Sequence, residues 1–430
     1  TSDSRDLGEK SFFVPIAGEK FDGHDYIGAL ASGGSIVGCL CARSRMDRVP
    51  ASAGVSVVSC DDTLRALGLL GAARRAEVNP FVVGITGTNG KTTTKDLVHA
   101  LLSERYRCLK SEKNYNNEIG VPFTLLGLAD GHDMAVIEMG MNHRGEIDRL
   151  SAIARPDMAV ITSVGEGHLE FLGSVEGVAM AKAEIMNGMK PGSVIVINRD
   201  TECFPLLARL AGERGLAVKT FGFSPQCDLC PDSCRLEADR STVTVGGVEV
   251  SAPLYGLHNV YNILAALLAG RELGLPMDVM ARALGSFRGA SMRSEIIEKG
   301  FVLINDTYNS NPLSTRFSLE SARRVFPGRR KIAVLSDMLE LGDAEEGCHL
   351  DAGREVVRCG FDMLFTWGKR ARLIYRGAVE AGMNGGSAAH FEDRSEMAHR
   401  VRELIGDGDV ILVKGSRSMK MEEVVDILVR

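Results

Sequence analysis

The run GITGTNGKTTTKD at residues 84–96 constrains this chain more than any other segment. The apolar stretch Phe81–Ile85 that leads into it reads as a strand, and residues 92–102 carry apolar side chains at helical spacing. Between them lie Gly87, Thr88, Asn89, Gly90, Lys91, Thr92 and Thr93. Glycines let backbone N–H groups converge on an anion, and the following helix adds the positive end of its dipole. Lys91 supplies a mobile charge for the outer phosphates of a nucleotide, and the Thr92 hydroxyl can hold magnesium. In the usual phosphate loop, G-x-x-x-x-G-K, the first glycine has a fixed distance from the Gly-Lys pair. Here Gly84 is too far from Gly90-Lys91 and Gly87 too near.

Around this loop the sequence divides into three α/β units. Residues 1–79 hold short apolar runs at Phe12–Ile16, Ile36–Cys41 and Val55–Ser59, separated by turns. The break at Glu77-Val78-Asn79-Pro80 starts a larger unit, 80–289, with nearly continuous apolar runs at Met134–Glu138, Met158–Thr162 and Val194–Asn198 and a helix over Asn259–Leu273. Such runs suit strands buried on both faces of a doubly wound parallel sheet. A boundary near Phe287–Ser291 opens a Rossmann-like unit, 290–430, with strands at Val302–Asp306, Lys331–Ser336, Asp362–Trp367 and Asp409–Lys414.

A formal net charge of -6 without a Lys/Arg block gives no reason to expect nucleic acid. No apolar run is long enough to span a bilayer, and no signal peptide is evident. Ten scattered cysteines read as free thiols of a reducing compartment, and Cys227, Cys230 and Cys234 as incidental rather than a metal knuckle. A soluble, cytoplasmic monomer is the expectation.

The motif order carries a resemblance. TGTNGKTTT is similar to the phosphate loop of Mur ligases and of their relatives, the folylpolyglutamate synthases. TSDSR, FDGHDYI, NYNNEIGVP, EMGMNHRGEI, GEGHLEFLGS, AKAEI, GLHNVYN, INDTYNSNP, SDMLELG and VKGSRSMKME follow the order of the Mur ligase family, nearest its dipeptide-adding branch. The resemblance implies a three-domain ATP-dependent ligase of peptidoglycan precursor synthesis. It would add D-alanyl-D-alanine to a UDP-N-acetylmuramoyl-tripeptide through an acyl phosphate. The family's first domain begins slightly before Thr1. Alternatives are a Mur ligase that adds one amino acid, a folylpolyglutamate-synthase-like ligase, and a nucleotide-binding scaffold without turnover.

The same resemblance assigns roles to side chains that are ambiguous alone. Glu138, at a strand end, joins Thr92 as a magnesium ligand, and His168, otherwise a loop histidine, serves a second ion. Lys182, which by itself reads as a solvated helix lysine, becomes a carbamate that orients the metals; this requires a neutral amine and hence a depressed pKa. Asn259 contacts adenine or merely caps a helix. Arg293 and Asp306 reach ATP from the third domain, Arg293 for phosphoryl charge and Asp306 for ribose, which implies closure before chemistry. Ser4 and Arg5 approach the uridine diphosphate. Asn114, Asn116, Asn117 and Thr124 face the acceptor peptide, and Tyr308, Asn309, Asn311, Lys414, Ser416 and Arg417 line the closing domain.

Overall fold

The computed structural model describes residues 1–430 except 6, 9, 19, 51–53 and 289–291. The boundary expected between 289 and 290 lies outside the described residues.

The N-terminal unit is a three-stranded parallel sheet of Ser11–Phe13, Ile36–Ala42 and Ser56–Cys60. The first strand is shorter than the apolar run that announces it, because Pro15 has no N–H to continue a ladder. Helix Ile27–Ser32 covers one face through Ile27, Phe13, Cys39 and Cys41. Helix Thr63–Val78 packs Leu67 on Leu40 at the other face and reaches Ile119 and Phe123 of the next unit. Asp62 caps this helix by accepting from the N–H groups of Leu64 and Arg65, and Asn79, at φ 52°, ends it in the left-handed conformation.

The central sheet has six strands in the order Cys108–Lys110, Met134–Glu138, Phe81–Thr86, Met158–Ile161, Val194–Asn198 and Ala217–Phe221. All of its pairings are parallel. One face carries helices Lys91–Ser103 and Leu257–Glu272, whose residues Leu97, Leu101, Ile263 and Leu267 are fully buried or nearly so. The other face carries Glu146–Ala154, Val175–Ala183 and Phe204–Glu213. A small antiparallel sheet, Ser233–Leu236, Ser241–Val245 and Val248–Ala252, is an addition that the apolar runs did not disclose. Its strands are partly exposed, so they alternate weakly instead of reading as continuous apolar blocks.

The C-terminal sheet runs Glu295–Glu298, Val302–Asp306, Val410–Lys414, Lys331–Ser336, Met363–Trp367, Ala388–Phe391. Only the Glu295–Glu298 edge strand is antiparallel. Asp362 and Asp409 stand just outside the strands expected to contain them; their carboxylates accept from the N–H groups of Lys331 and Gly406 and fix the turns.

A single apolar cluster continues from the central unit, through Tyr255, into Ile304, Leu319, Ala322 and Phe326 of the C-terminal unit. Tyr255 stacks on Phe326 with ring centroids 6.2 Å apart. No helix among the described residues is long and apolar enough to cross a membrane.

Candidate active site

Two glycines make the loop geometry possible. Gly87 has φ 154°, and a Cβ there would lie 1.9 Å from Thr162 Oγ1; Gly90 has φ 83°, and its Cβ would lie 2.2 Å from Asn262 Oδ1. The loop is therefore pressed against side chains behind it as well as being left-handed in part. Thr162 Oγ1 donates to Asn89 O at 2.5 Å, Ser163 Oγ accepts from Asn89 N at 2.9 Å, and Thr88 N donates to Ser163 O at 2.8 Å. Asn262 Oδ1 accepts from Thr94 Oγ1 at 3.3 Å, and its Nδ2 donates to Asn259 Oδ1 at 2.8 Å. Thr162, Ser163 and Asn262 were missed in the sequence. Asn262 carried a signal, since it lies one helical turn after Asn259 on the same helix face.

Lys91 turns back on its own loop and donates to Gly87 O at 2.8 Å and Thr88 O at 3.3 Å. These carbonyls hold the amine where outer phosphates would sit above the Lys91–Ser103 helix start; Thr92 is buried there and Thr93 half-buried. Burial lowers the Lys91 pKa, Glu138 opposes that shift and Arg293 adds to it, so all three charges share one locality. Lys182 is 3% exposed in helix Val175–Ala183. Burial pushes its amine well below the ordinary lysine value, and the Lys91 charge pushes the same way.

Glu138 is also buried. Its Oε1 accepts from Asn116 Nδ2 at 2.8 Å, while Oε2 has no hydrogen-bond partner. A buried carboxylate oxygen left unpaired is costly, which makes it a natural place for a cation. His168, at φ 57°, starts the short helix Leu169–Leu172. Its Nδ1 lies 2.6 Å from Glu340 Oε2, a short contact off the direction of a hydrogen bond. The imidazole holds the Glu340 carboxyl below its usual range. Glu340 had not been singled out within SDMLELG.

The C-terminal unit is closed over the loop. A cleft of about 460 Å³ is lined from below by Thr88, Lys91 and His168 and from above by Tyr308, Asn311, Glu340 and Arg417. The Arg293 guanidinium lies 3.8 Å from the Tyr308 ring centroid, a cation–π contact. Asn311 caps helix Pro312–Val325, and its amide faces Asn89. Lys414 Nζ lies 2.6 Å from Asp306 Oδ2 and donates to Asn309 O at 3.0 Å. Burial raises the Asp306 carboxyl, but Lys414 and His258 outweigh it and hold it below its usual range. Ser416 Oγ accepts from Leu339 N at 3.1 Å, and Arg417 pairs with Glu422 at 2.9 Å.

Other expected site residues sit elsewhere or are otherwise engaged. Arg5 is exposed and paired with Asp3 beside Ser4, at the N-terminal sheet. Asn114 is exposed, and Asn117 Oδ1 accepts from Gly120 N at 2.9 Å, capping a turn. Thr124 is buried within helix Gly120–Leu126, its hydroxyl donating to Gly120 O at 2.9 Å. Asn259 does not cap its helix, which begins two residues earlier at Leu257; its Nδ2 donates to Tyr255 O at 2.8 Å. Burial drives the neighbouring His258 ring down to about 4. All ten cysteines are free.

Comparison with known proteins fits this geometry. Residues 85–270 match the Mur ligase middle domain, and residues 292–417 match the Mur ligase glutamate ligase domain. A Bacillus subtilis protein named UDP-N-acetylmuramoyl-tripeptide–D-alanyl-D-alanine ligase is 38% identical, over 100% of this chain and 92% of its own length. Among solved structures, MurF from Acinetobacter baumannii superposes with a TM-score of 0.91 at 29% identity, covering 100% of this chain and 92% of that one. MurF from Thermotoga maritima in complex with ADP gives 0.86 at 26% identity, covering 100% and 96%. With both domain descriptions matched in order and similarity running along the whole sequence, the chain belongs to the Mur ligase family.

Proposed function

We propose that this protein is an ATP-dependent amide ligase that joins D-alanyl-D-alanine to UDP-N-acetylmuramoyl-tripeptide in peptidoglycan precursor synthesis. The observation that carries this reading is the gathering of Lys91, Glu138 and Lys182 in one locality of the central unit, with Arg293 of the closed third domain brought to it from above. The relatives' shared name supplies the substrate pair.

A carboxylate and an amine do not condense unaided, because hydroxide is a poor leaving group. Transfer of the ATP γ-phosphoryl to the tripeptide carboxylate gives an acyl phosphate and ADP. The dipeptide amine attacks the acyl carbon, and the tetrahedral intermediate expels phosphate to leave the amide. Such a route needs positioning and charge neutralisation above all. Lys91 exchanges its loop carbonyls for phosphoryl oxygens, and Arg293 approaches them from above. The closed third domain keeps water from the acyl phosphate.

The residues fit magnesium: Glu138 Oε2 is buried without a partner, and Thr92 offers a hydroxyl at the helix start. His168 and a carbamate on Lys182 would serve a second ion. Bound magnesium would neutralise charge on the transferring phosphoryl group. The depressed Lys182 pKa supports the carbamate, since only the neutral amine adds to carbon dioxide.

In this reading residues 1–79 hold the UDP end of the acceptor, 80–289 hold ATP and 290–430 deliver the dipeptide, with Asp306 available to the ribose. The enzyme works as a cytoplasmic monomer, where its ten thiols stay reduced. The test is phosphate release from ATP with each acceptor–amine pair. Release should require UDP-N-acetylmuramoyl-tripeptide and D-alanyl-D-alanine together, and Lys91→Ala should cut it at least about a hundredfold with the fold intact. Release with a single amino acid and none with the dipeptide would overturn the proposal.

A further inference from the structure

Two side-chain amides join the phosphate loop to the third domain. Asn89 Nδ2 donates to Asn311 Oδ1 at 3.1 Å, and Asn311 Nδ2 donates back to Asn89 Oδ1 at 2.9 Å, across 222 residues of sequence. Asn311 is 8% exposed. Each partner is anchored at its own end. The Asn89 backbone is held by Thr162 and Ser163 at the edge of the central sheet. Asn311 is held as a helix cap, with Oδ1 accepting from Ser314 N at 2.8 Å and its own N–H donating to Ser314 Oγ at 3.1 Å. Such a pair is self-matching, each amide offering one donor and one acceptor, so both bonds form only at one relative placement of the two backbones.

We infer that Asn311 is a positioning residue that acts through this reciprocal bridge to Asn89, fixing the phosphate loop when the third domain closes. The inference rests on the ligase reading above and deepens it. Asn89 lies between Gly87 and Gly90, the two left-handed positions of the loop, so its side chain is the strut of an otherwise permissive segment. In the open form both amides lose their partner and the loop relaxes. A nucleotide bound there is then held less firmly for transfer, which protects ATP from idle loss to water until the dipeptide-bearing domain is in place.

The test is a double-mutant cycle in the full chain with Asn89→Ala, Asn311→Ser and the pair. Serine caps a helix about as well as asparagine but is too short to span the bridge, so the helix start survives. Asn89→Ala reports from the loop side without touching the cap. Compaction on adding adenylyl imidodiphosphate and Mg2+ is read by small-angle X-ray scattering, and kcat and KM by phosphate release. Each single variant should lose the compaction and about tenfold in kcat, the order expected for two neutral hydrogen bonds, with dipeptide KM little changed. The double variant should be no worse than either single one. Losses that multiply in the double variant, unchanged compaction, or a raised dipeptide KM with normal kcat for Asn311→Ser would each overturn the bridge. If the wild type releases no phosphate with the dipeptide, the substrate reading fails, while the scattering cycle still decides for or against the bridge.

Discussion

Lys414 and Asp306 are register partners at the ends of neighbouring parallel strands, and their side chains meet at 2.6 Å. The lysine is only 2% exposed and the aspartate 14%. Ser318 Oγ donates to the same carboxylate at 2.7 Å, Ser294 N donates to its other oxygen at 3.1 Å, and the half-buried His258 ring lies close by. The family resemblance points Asp306 toward ribose and places Lys414 in the lining of the closing domain. In this structure they neutralise each other at the carboxyl ends of the two strands.

Lys414→Met should destabilise the protein by about 3 kcal/mol, because it leaves Asp306 buried without its cation. The pH dependence follows from the lowered Asp306 pKa. In the wild type this group adds stability above the ordinary carboxyl pKa, and that stability is lost as pH falls through the depressed folded value. In Lys414→Met burial dominates and raises the pKa, so the contribution reverses and stability falls as pH rises through the new value. Urea denaturation at several pH values checks this; parallel profiles for the two proteins would contradict it.

Gly90→Ala should weaken ATP binding roughly tenfold or more, since a non-glycine residue at φ 83° costs about 1–2 kcal/mol before any clash is counted. Its Cβ would also meet Asn262 Oδ1 at 2.2 Å. Adding Asn262→Ala should restore part of the affinity by removing the clash but not the backbone strain. Calorimetric titration with ATP separates the two effects, and equal affinities for the single and double variants would show that the contact is irrelevant.

Carbon-13 bicarbonate should give a carbamate resonance in the wild type at neutral pH and none in Lys182→Ala. Burial and the neighbouring Lys91 charge lower the Lys182 pKa, which raises the share of neutral amine open to carbon dioxide. Lowering the pH should remove the signal as the amine protonates. The same resonance in Lys182→Ala would assign the carbamate to another lysine.

The parts of this molecule legible in the sequence were those encoded over short distances. Phe81–Thr86 and Met134–Glu138 are apolar up to their last residue because both faces are covered, and the loop between strand and helix is spelled by adjacent residues. The parts that escaped are long-range. Nothing near Asn89 names Asn311, and nothing near Gly90 names Asn262, which supports the loop from the far helix. The short edge strand Cys108–Lys110 is only three residues long and half-buried, too little for a periodic signal. Thr124 shows the opposite failure: a polar residue beside a recognisable motif looked outward in sequence but spends its hydroxyl on its own helix.

The apolar cluster that runs through Tyr255 into Leu319 and Phe326 makes the two larger units thermal dependants of one another. While the seam is shut, unfolding either one would expose the apolar surface they share, so heat or denaturant should release them together rather than in turn. A change deep in the C-terminal core is then felt as lost tolerance in the nucleotide-binding half, and a nucleotide gripped by the central unit shelters a fold it barely touches.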